Sequence, residues 1–281
     1  VYLFEPDRTQ FDLSWRMFGI SVRVQPMFWA MAAVTGWGFL HAGFEYLFAW
    51  IACVFVSVLI HELGHVYMGR LFGSHGHIIL YGFGGLAVGS SALRSRAQRI
   101  AVSFAGPLAG FVYLGLVILA VRALRPDEFP VMMEVTKWRL GLQVDEMLMP
   151  GRISLTQHIF ASLFFINLFW GLMNLLPIWP LDGGQISRDF FGGLDRRNGE
   201  QIALGISVVV SGLIALQGVS IAMGGPALPF LRNLDGVYLA LMFGLLAVAS
   251  FQALQQAQHR PWRTEWPDDR WDREDEHWPR R

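Results

Sequence analysis

The sequence predicts an all-α polytopic membrane protein, with about six transmembrane helices and a short β-hairpin or re-entrant loop. Three observations predict it. Hydrophobic residues make up 53% of the 281 positions and charged residues only 16%, and the mean hydropathy is +0.39. Charge is also segregated. No Asp, Glu, Lys or Arg occurs in 24–44, 100–121, 153–181, 201–231 or 236–258, and 46–69 carries only Glu62. Each window approaches or exceeds the ~20 apolar residues that a spanning helix needs. A globular cytosolic enzyme, a nucleic-acid binder and a disordered scaffold are excluded as primary readings. The balance of 22 basic against 22 acidic residues adds no pull toward a polyanionic partner.

The windows place spans at about 26–41, 46–69, 99–121, 155–176, 201–223 and 235–256. Residues 1–257 read as a single membrane-embedded domain. Residues 1–23 contain Asp7, Arg8, Asp12, Arg16 and Arg23 without an apolar stretch, so they are not a secretory signal. Residues 78–91 are apolar but too short to span. Gly82, Gly84, Gly85 and Gly89 divide them into two extended runs, a hairpin or re-entrant loop. The 122–154 loop, with Met132, Met133, Val135 and Trp138, reads as a segment lying on the outer membrane surface. The tail 258–281, rich in Arg, acids, Pro and Trp, lacks the apolar residues for a core and is expected to be disordered. Cys53 is the single cysteine, so no internal disulfide can form.

Lysine and arginine fall 16 on the side of both termini and 6 on the other. The positive-inside rule therefore orients both termini toward the cytoplasm in a multi-pass cell membrane. Arg94, Arg96 and Arg99 read as headgroup anchors of the third span.

The sharpest feature is His61-Glu62-Leu63-Gly64-His65, near the end of the second span. Positions i and i+4 share a helix face, so both imidazoles can reach one ion. Glu62, one step round, is placed to take a proton from water at that ion. With 8 His in 281 residues, chance predicts about 0.008 such patterns. An ionisable side chain inside a span is costly as well, about 2.5–3.5 kcal/mol on insertion scales, and needs a partner. Catalytic zinc usually takes three protein ligands. His41 and His158 lie at the outer ends of their spans, whereas His75 and His77 lie in the cytoplasmic loop and stay open as candidates. Asp182 is the better third ligand, because the second and fourth spans run in the same direction and deliver it to the same cytoplasmic half. Pro177 and Pro180 disfavour helix before them, so the fourth helix ends near Leu175 and 176–182 is extended at membrane depth. Such backbone is tolerated only where protein buries it or where it lines a wet cavity.

His61-Glu62-x-x-His65 together with Asn174-Leu-Leu-Pro177…Leu181-Asp182-Gly183 resembles the site-2 protease family of intramembrane zinc metalloproteases. Phe83-Gly84-Gly85 resembles its hairpin after the metal helix, and Ala105-Gly106-Pro107 with Gly110 its small-residue motif in the third span. The resemblance covers about 60–190 specifically. It implies one Zn²⁺ on His61, His65 and Asp182, Glu62 as the catalytic glutamate, and Asn174 holding substrate backbone or a developing oxyanion. It implies a zinc-dependent intramembrane endopeptidase of the regulated-proteolysis type, acting on single-span membrane substrates. The 78–91 hairpin with Gly84 and Gly85 can either hold an unwound substrate as an added strand or serve as a structural plug at the cytoplasmic mouth. The 122–154 loop is too short for the PDZ domain of some members and the tail too short for a CBS pair, so a minimal, membrane-only member is expected. A metal transporter or a catalytically silent metal-binding protein is the alternative reading. It would call for polar groups along a path through both leaflets, and the outer halves of the spans offer little beyond His41 and His158.

Overall fold

The computed structural model describes residues 7–82, 84–88, 93, 95–226, 228 and 235–259. Five of its helices are long and apolar enough to cross a membrane: α2 (Phe44–Leu71), α3 (Arg96–Leu124), α5 (Leu155–Asn174), α7 (Gly199–Ala222) and α8 (Gly236–His259). The protein is a helical membrane protein, as its composition predicts. Three shorter helices join them: α1 (Pro26–Thr35), α4 (Phe129–Arg139) and α6 (Asp182–Leu194). Tail residues 260–281 lie outside the described residues, as do Phe83, residues 89–91 of the hairpin stretch, and Arg94.

The first apolar window divides instead of forming one long helix. α1 covers ten residues, and a short 3-10 turn, Trp37–His41, follows. The break falls at Gly36, where an added Cβ would lie 2.2 Å from the Trp50 indole. The same indole donates from Nε1 to Thr35 Oγ1 at 3.2 Å. The backbone therefore bends around an aromatic ring of α2 that a regular helix would strike.

In place of a lone hairpin the chain builds a four-stranded sheet in the order β1-β2-β3-β4. Its strands are Leu13–Met17, Ile20–Val24, His77–Tyr81 and Gly84–Val88. β1 and β2 pair antiparallel across Phe18 and Gly19, both at positive φ (51° and 72°). Arg70, at the end of α2, fixes this turn by donating to the Phe18 and Gly19 carbonyls at 3.1 and 2.6 Å. β2 pairs parallel with β3, so α1 and α2 form the crossover that a parallel pair requires. β4 closes antiparallel on β3 and is an edge strand among the described residues. Ile20, Val22, Val24, Ile78 and Leu80 are fully buried against Val58, Leu59 and Val66 of α2. The sheet thus packs on the turns of α2 that carry the His-Glu motif, which brings β4 to that motif.

α4 follows α3 and packs on α5, with Met132, Glu134, Val135 and Thr136 buried and Trp138 exposed. Its last residue, Arg139, sits 4.4 Å from the Phe39 ring centroid and donates to Ser162 Oγ at 3.0 Å. α5 opens on a Ser154–Gln157 capping box and ends at Asn174, two residues before the Leu176-Pro177 bond, where proline disfavours helix.

α2 and α3 pack in backbone contact. A Cβ on Gly64 would lie 2.4 Å from the Ala105 carbonyl oxygen. Gly64→Ala is expected to force the helices apart, to cost about 1–3 kcal/mol, and to lower the thermal unfolding temperature in detergent. A variant melting with the wild type would contradict this packing.

Candidate metal centre

α2 presents His61 and His65 one turn apart, 4% and 6% exposed, and Asp182 at the first turn of α6 reaches them at 8% exposure. His61 Nε2 lies 3.1 Å from Asp182 Oδ2, His65 Nε2 lies 3.4 Å from it, and the two Nε2 atoms are 3.2 Å apart. A tetrahedral ion with bonds of about 2.0–2.1 Å holds its donors about 3.3–3.4 Å apart. The triangle has that size, and its two nitrogens and one oxygen suit a divalent ion of the zinc type. Among the described residues this is the group of His, Cys, Asp and Glu that could hold a metal ion.

The surroundings fit the same reading. His65 Nδ1 lies 2.7 Å from the Val102 carbonyl, so that nitrogen donates and Nε2 keeps its lone pair for a ligand bond. Gly106 of α3 faces both imidazoles. An added Cβ would lie 2.2 Å from His65 Nε2 and 2.8 Å from His61 Nε2. The space in front of the donor atoms therefore exists because position 106 has no side chain.

Glu62 is 5% exposed, and β4 lies over it. A Cβ on Gly85 would lie 2.3 Å from Glu62 Cγ, so only glycine lets the strand backbone come this close. The Ala87 backbone N–H donates to the Glu62 carboxylate. The glutamate is thereby held beside the His pair by a strand distant in sequence. Gly84, at φ 129°, turns the chain into β4 against the Trp170 ring.

Asp182 arrives through 175–181. α5 stops before Pro177 as predicted, and the chain then turns back into α6, a helix the sequence does not announce. Gly183 and Gly184 let α6 start in contact with that turn. Cβ atoms there would lie 2.2 Å from the Leu175 oxygen and 2.4 Å from the Ile178 carbonyl. Arg99 pairs with Asp189 of α6, which ties the base of α3 to this helix in addition to any headgroup role.

The remaining predicted residues stand apart. Asn174 donates from Nδ2 to the Trp170 carbonyl at 2.9 Å, within its own helix. His158 Nε2 lies 3.0 Å from the Tyr46 carbonyl. Neither His158 nor His41, His75 and His77 joins the metal group. Two polar residues near the centre go unremarked in the sequence reading. Buried Asn167 donates to Ser57 Oγ at 2.9 Å, and both border a narrow cleft with His61, Gly110 and Trp170. The signal for Ser57 is its place four residues before His61. For Asn167 it is an amide inside an uncharged span.

Residues 49–218 match peptidase family M50. The chain belongs to this family. Stage IV sporulation protein FB of Bacillus subtilis is 29% identical over 175 residues, covering 61% of this chain and 48% of that protein. A zinc metalloprotease of Methanocaldococcus jannaschii is 26% identical over 176 residues, 61% of this chain and 38% of that one. The M50 chain thus spans about half the length, or less, of these curated relatives. Its fold is shared with the solved site-2 protease from Methanocaldococcus jannaschii. That match has a TM-score of 0.50 at 21% identity and covers 91% of this chain and 99% of the other.

Gly106→Ala is expected to reduce metal affinity at least about tenfold, a loss of the size seen when a ligand's support is removed. Metal titration of the purified variant against a chelator measures it. Undiminished affinity would show that the donors face another way.

Proposed function

We propose that this M50 family member is a zinc-dependent endopeptidase that hydrolyses peptide bonds in membrane-spanning or membrane-proximal segments. The observation that carries the proposal is the buried triangle of His61, His65 and Asp182 with the Glu62 carboxylate held beside it. The zinc metalloprotease among its relatives supports the choice of metal.

Zinc bound there would act as a Lewis acid on the scissile carbonyl and bring the pKa of water down toward ~7. Glu62 takes the proton of the attacking water and returns it to the leaving amine. Its position under β4 limits its freedom, so it meets that water from one side. His65 is kept in one tautomer by the Val102 carbonyl, and His61 and Asp182 complete the ligand set.

A substrate helix must unwind before its peptide bonds are reached, and its freed backbone groups then need partners in a place without bulk water. β4 offers them. Its outer edge has no strand partner among the described residues, and its backbone already touches Glu62. A substrate segment added there as a strand lies alongside the reacting groups, with Gly84 and Gly85 leaving its approach clear. Asn174 has its Oδ1 without a partner among the described residues, while its Nδ2 is engaged by Trp170. It suits acceptance of a substrate backbone N–H; service to an oxyanion requires Nδ2 to leave that carbonyl.

The substrate is a single-span membrane protein. His61 lies about 15 Å from the C-terminal end of α2, at 1.5 Å per residue. The lysine and arginine bias supports a cytoplasmic side for that end, for the zinc site and for both termini.

Glu62→Gln is expected to keep zinc and to cut hydrolysis of a co-expressed single-span substrate by about 10²–10⁴-fold. Asp182→Ala is expected to lose or loosen the metal. Normal cleavage by the glutamine variant would refute the mechanism. Bulky replacements at Gly84 and Gly85 should impair cleavage yet spare zinc, and unchanged cleavage would remove the strand-docking role.

A further inference from the structure

Residues 175–181 carry Asp182 to the metal donors through non-helical backbone, and wherever that backbone is buried its N–H and C=O groups need partners inside the protein. Part of the need is met within the segment. Ile178 N–H donates to the Leu176 carbonyl at 2.7 Å and Leu181 N–H to the Ile178 carbonyl at 2.8 Å. Pro177 and Pro180 have no N–H to satisfy. Trp179 is different, because both its backbone groups are met by side chains of other helices. Its N–H donates to Ser207 Oγ of α7. Its carbonyl accepts from Ser250 Oγ of α8 at 3.1 Å.

Both serines are buried, at 1% and 0% exposure. The side chains around them hold the same point of the chain. Ile178 is 0% exposed and packs on Leu239 and Phe243 of α8. The Arg188 guanidinium covers the Trp179 ring at 4.3 Å. Trp179 precedes Asp182 by three residues, so a shift of its backbone passes to the carboxylate with little chain to absorb it.

We infer that Ser207 and Ser250 are positioning residues for Asp182. By satisfying the two backbone groups of Trp179 from two helices, they set the path on which the carboxylate meets His61 and His65. Ser250 lies beyond residues 49–218, the segment matched by the family. α8 therefore contributes to the metal centre through backbone it holds, although it supplies none of the donor atoms. Ser211 provides the contrast. It is equally buried at 0%, but its hydroxyl donates within its own helix, to the Ser207 carbonyl at 2.6 Å and the Val208 carbonyl at 3.3 Å.

The inference rests on the metal-site reading above, and its test is zinc affinity of the full chain in detergent, titrated against a competing chelator. Thermal unfolding is recorded beside it. Ser207→Ala and Ser250→Ala are each expected to weaken zinc binding on the order of tenfold or more, as loss of outer-shell support does. Ser211→Ala is expected to bind zinc within about twofold of the wild type, whatever it loses in thermal stability. Wild-type affinity in the first two variants overturns the inference, and so does an equal loss in Ser211→Ala. Where an alanine variant does not fold, cysteine replaces it, similar in size and a weaker donor; wild-type affinity there overturns the inference in the same way. A wild-type chain that binds no zinc overturns the metal-site reading itself, and this inference with it.

Discussion

Polar groups at membrane depth have to satisfy one another, and the rest of this structure depends on that constraint. Lipid offers no hydrogen bonds, so a buried imidazole, carboxylate or open peptide group must find its partner inside the protein. His61, His65 and Asp182 converge within 3.1–3.4 Å. Glu62 is met by the Ala87 N–H, His65 by the Val102 carbonyl, and Trp179 by Ser207 and Ser250. Each partner comes from a different element. The metal centre is consequently a junction of α2, α3, α6 and β4 rather than a property of one helix.

Such a junction requires backbones to approach more closely than side chains allow, and glycine is what permits it. Gly64 brings α2 against α3, Gly106 clears the space before the imidazoles, and Gly85 lowers β4 onto Glu62. Gly183 and Gly184 let α6 begin against the chain that precedes it. At each place an added methyl would overlap a neighbouring atom, so these positions carry the geometry of the site although none supplies a reactive group.

The sheet answers the same constraint in another way. Buried strands must pair, and β3 finds β2 from the N-terminal segment on one side and β4 on the other. β4 is left as an edge beside Glu62. An edge is a liability in most settings, because it invites another strand. Beside Glu62, the proposed catalytic glutamate, that invitation becomes the proposed means of holding an unwound substrate.

Much of this was legible in the residues alone. Five of the six charge-poor windows located the long apolar helices, because lipid excludes charge over ~20 residues and composition records it directly. The His-Glu-x-x-His spacing identified two donors on one helix face, since i and i+4 coincide on any α-helix. Pro177 ended α5 where its ring forbids helix. What the residues could not announce were pairings between distant segments. β1 and β2 lie in a charged stretch whose partner β3 follows about fifty residues later, and α6 forms despite Gly183, Gly184, Gly192 and Gly193. α6 is held by Arg99 on Asp189 and by Arg188 on Glu200, contacts to other helices that local propensity does not contain. The sequence by itself determined the membrane class and the chemistry of the donors, because both follow from residue type and helical period. Only the tertiary structure decided that Gly85 lies over Glu62, that Gly106 opens the metal face, and that Ser207 and Ser250 hold Trp179. Those are contacts between elements, and no local pattern encodes the distance between them.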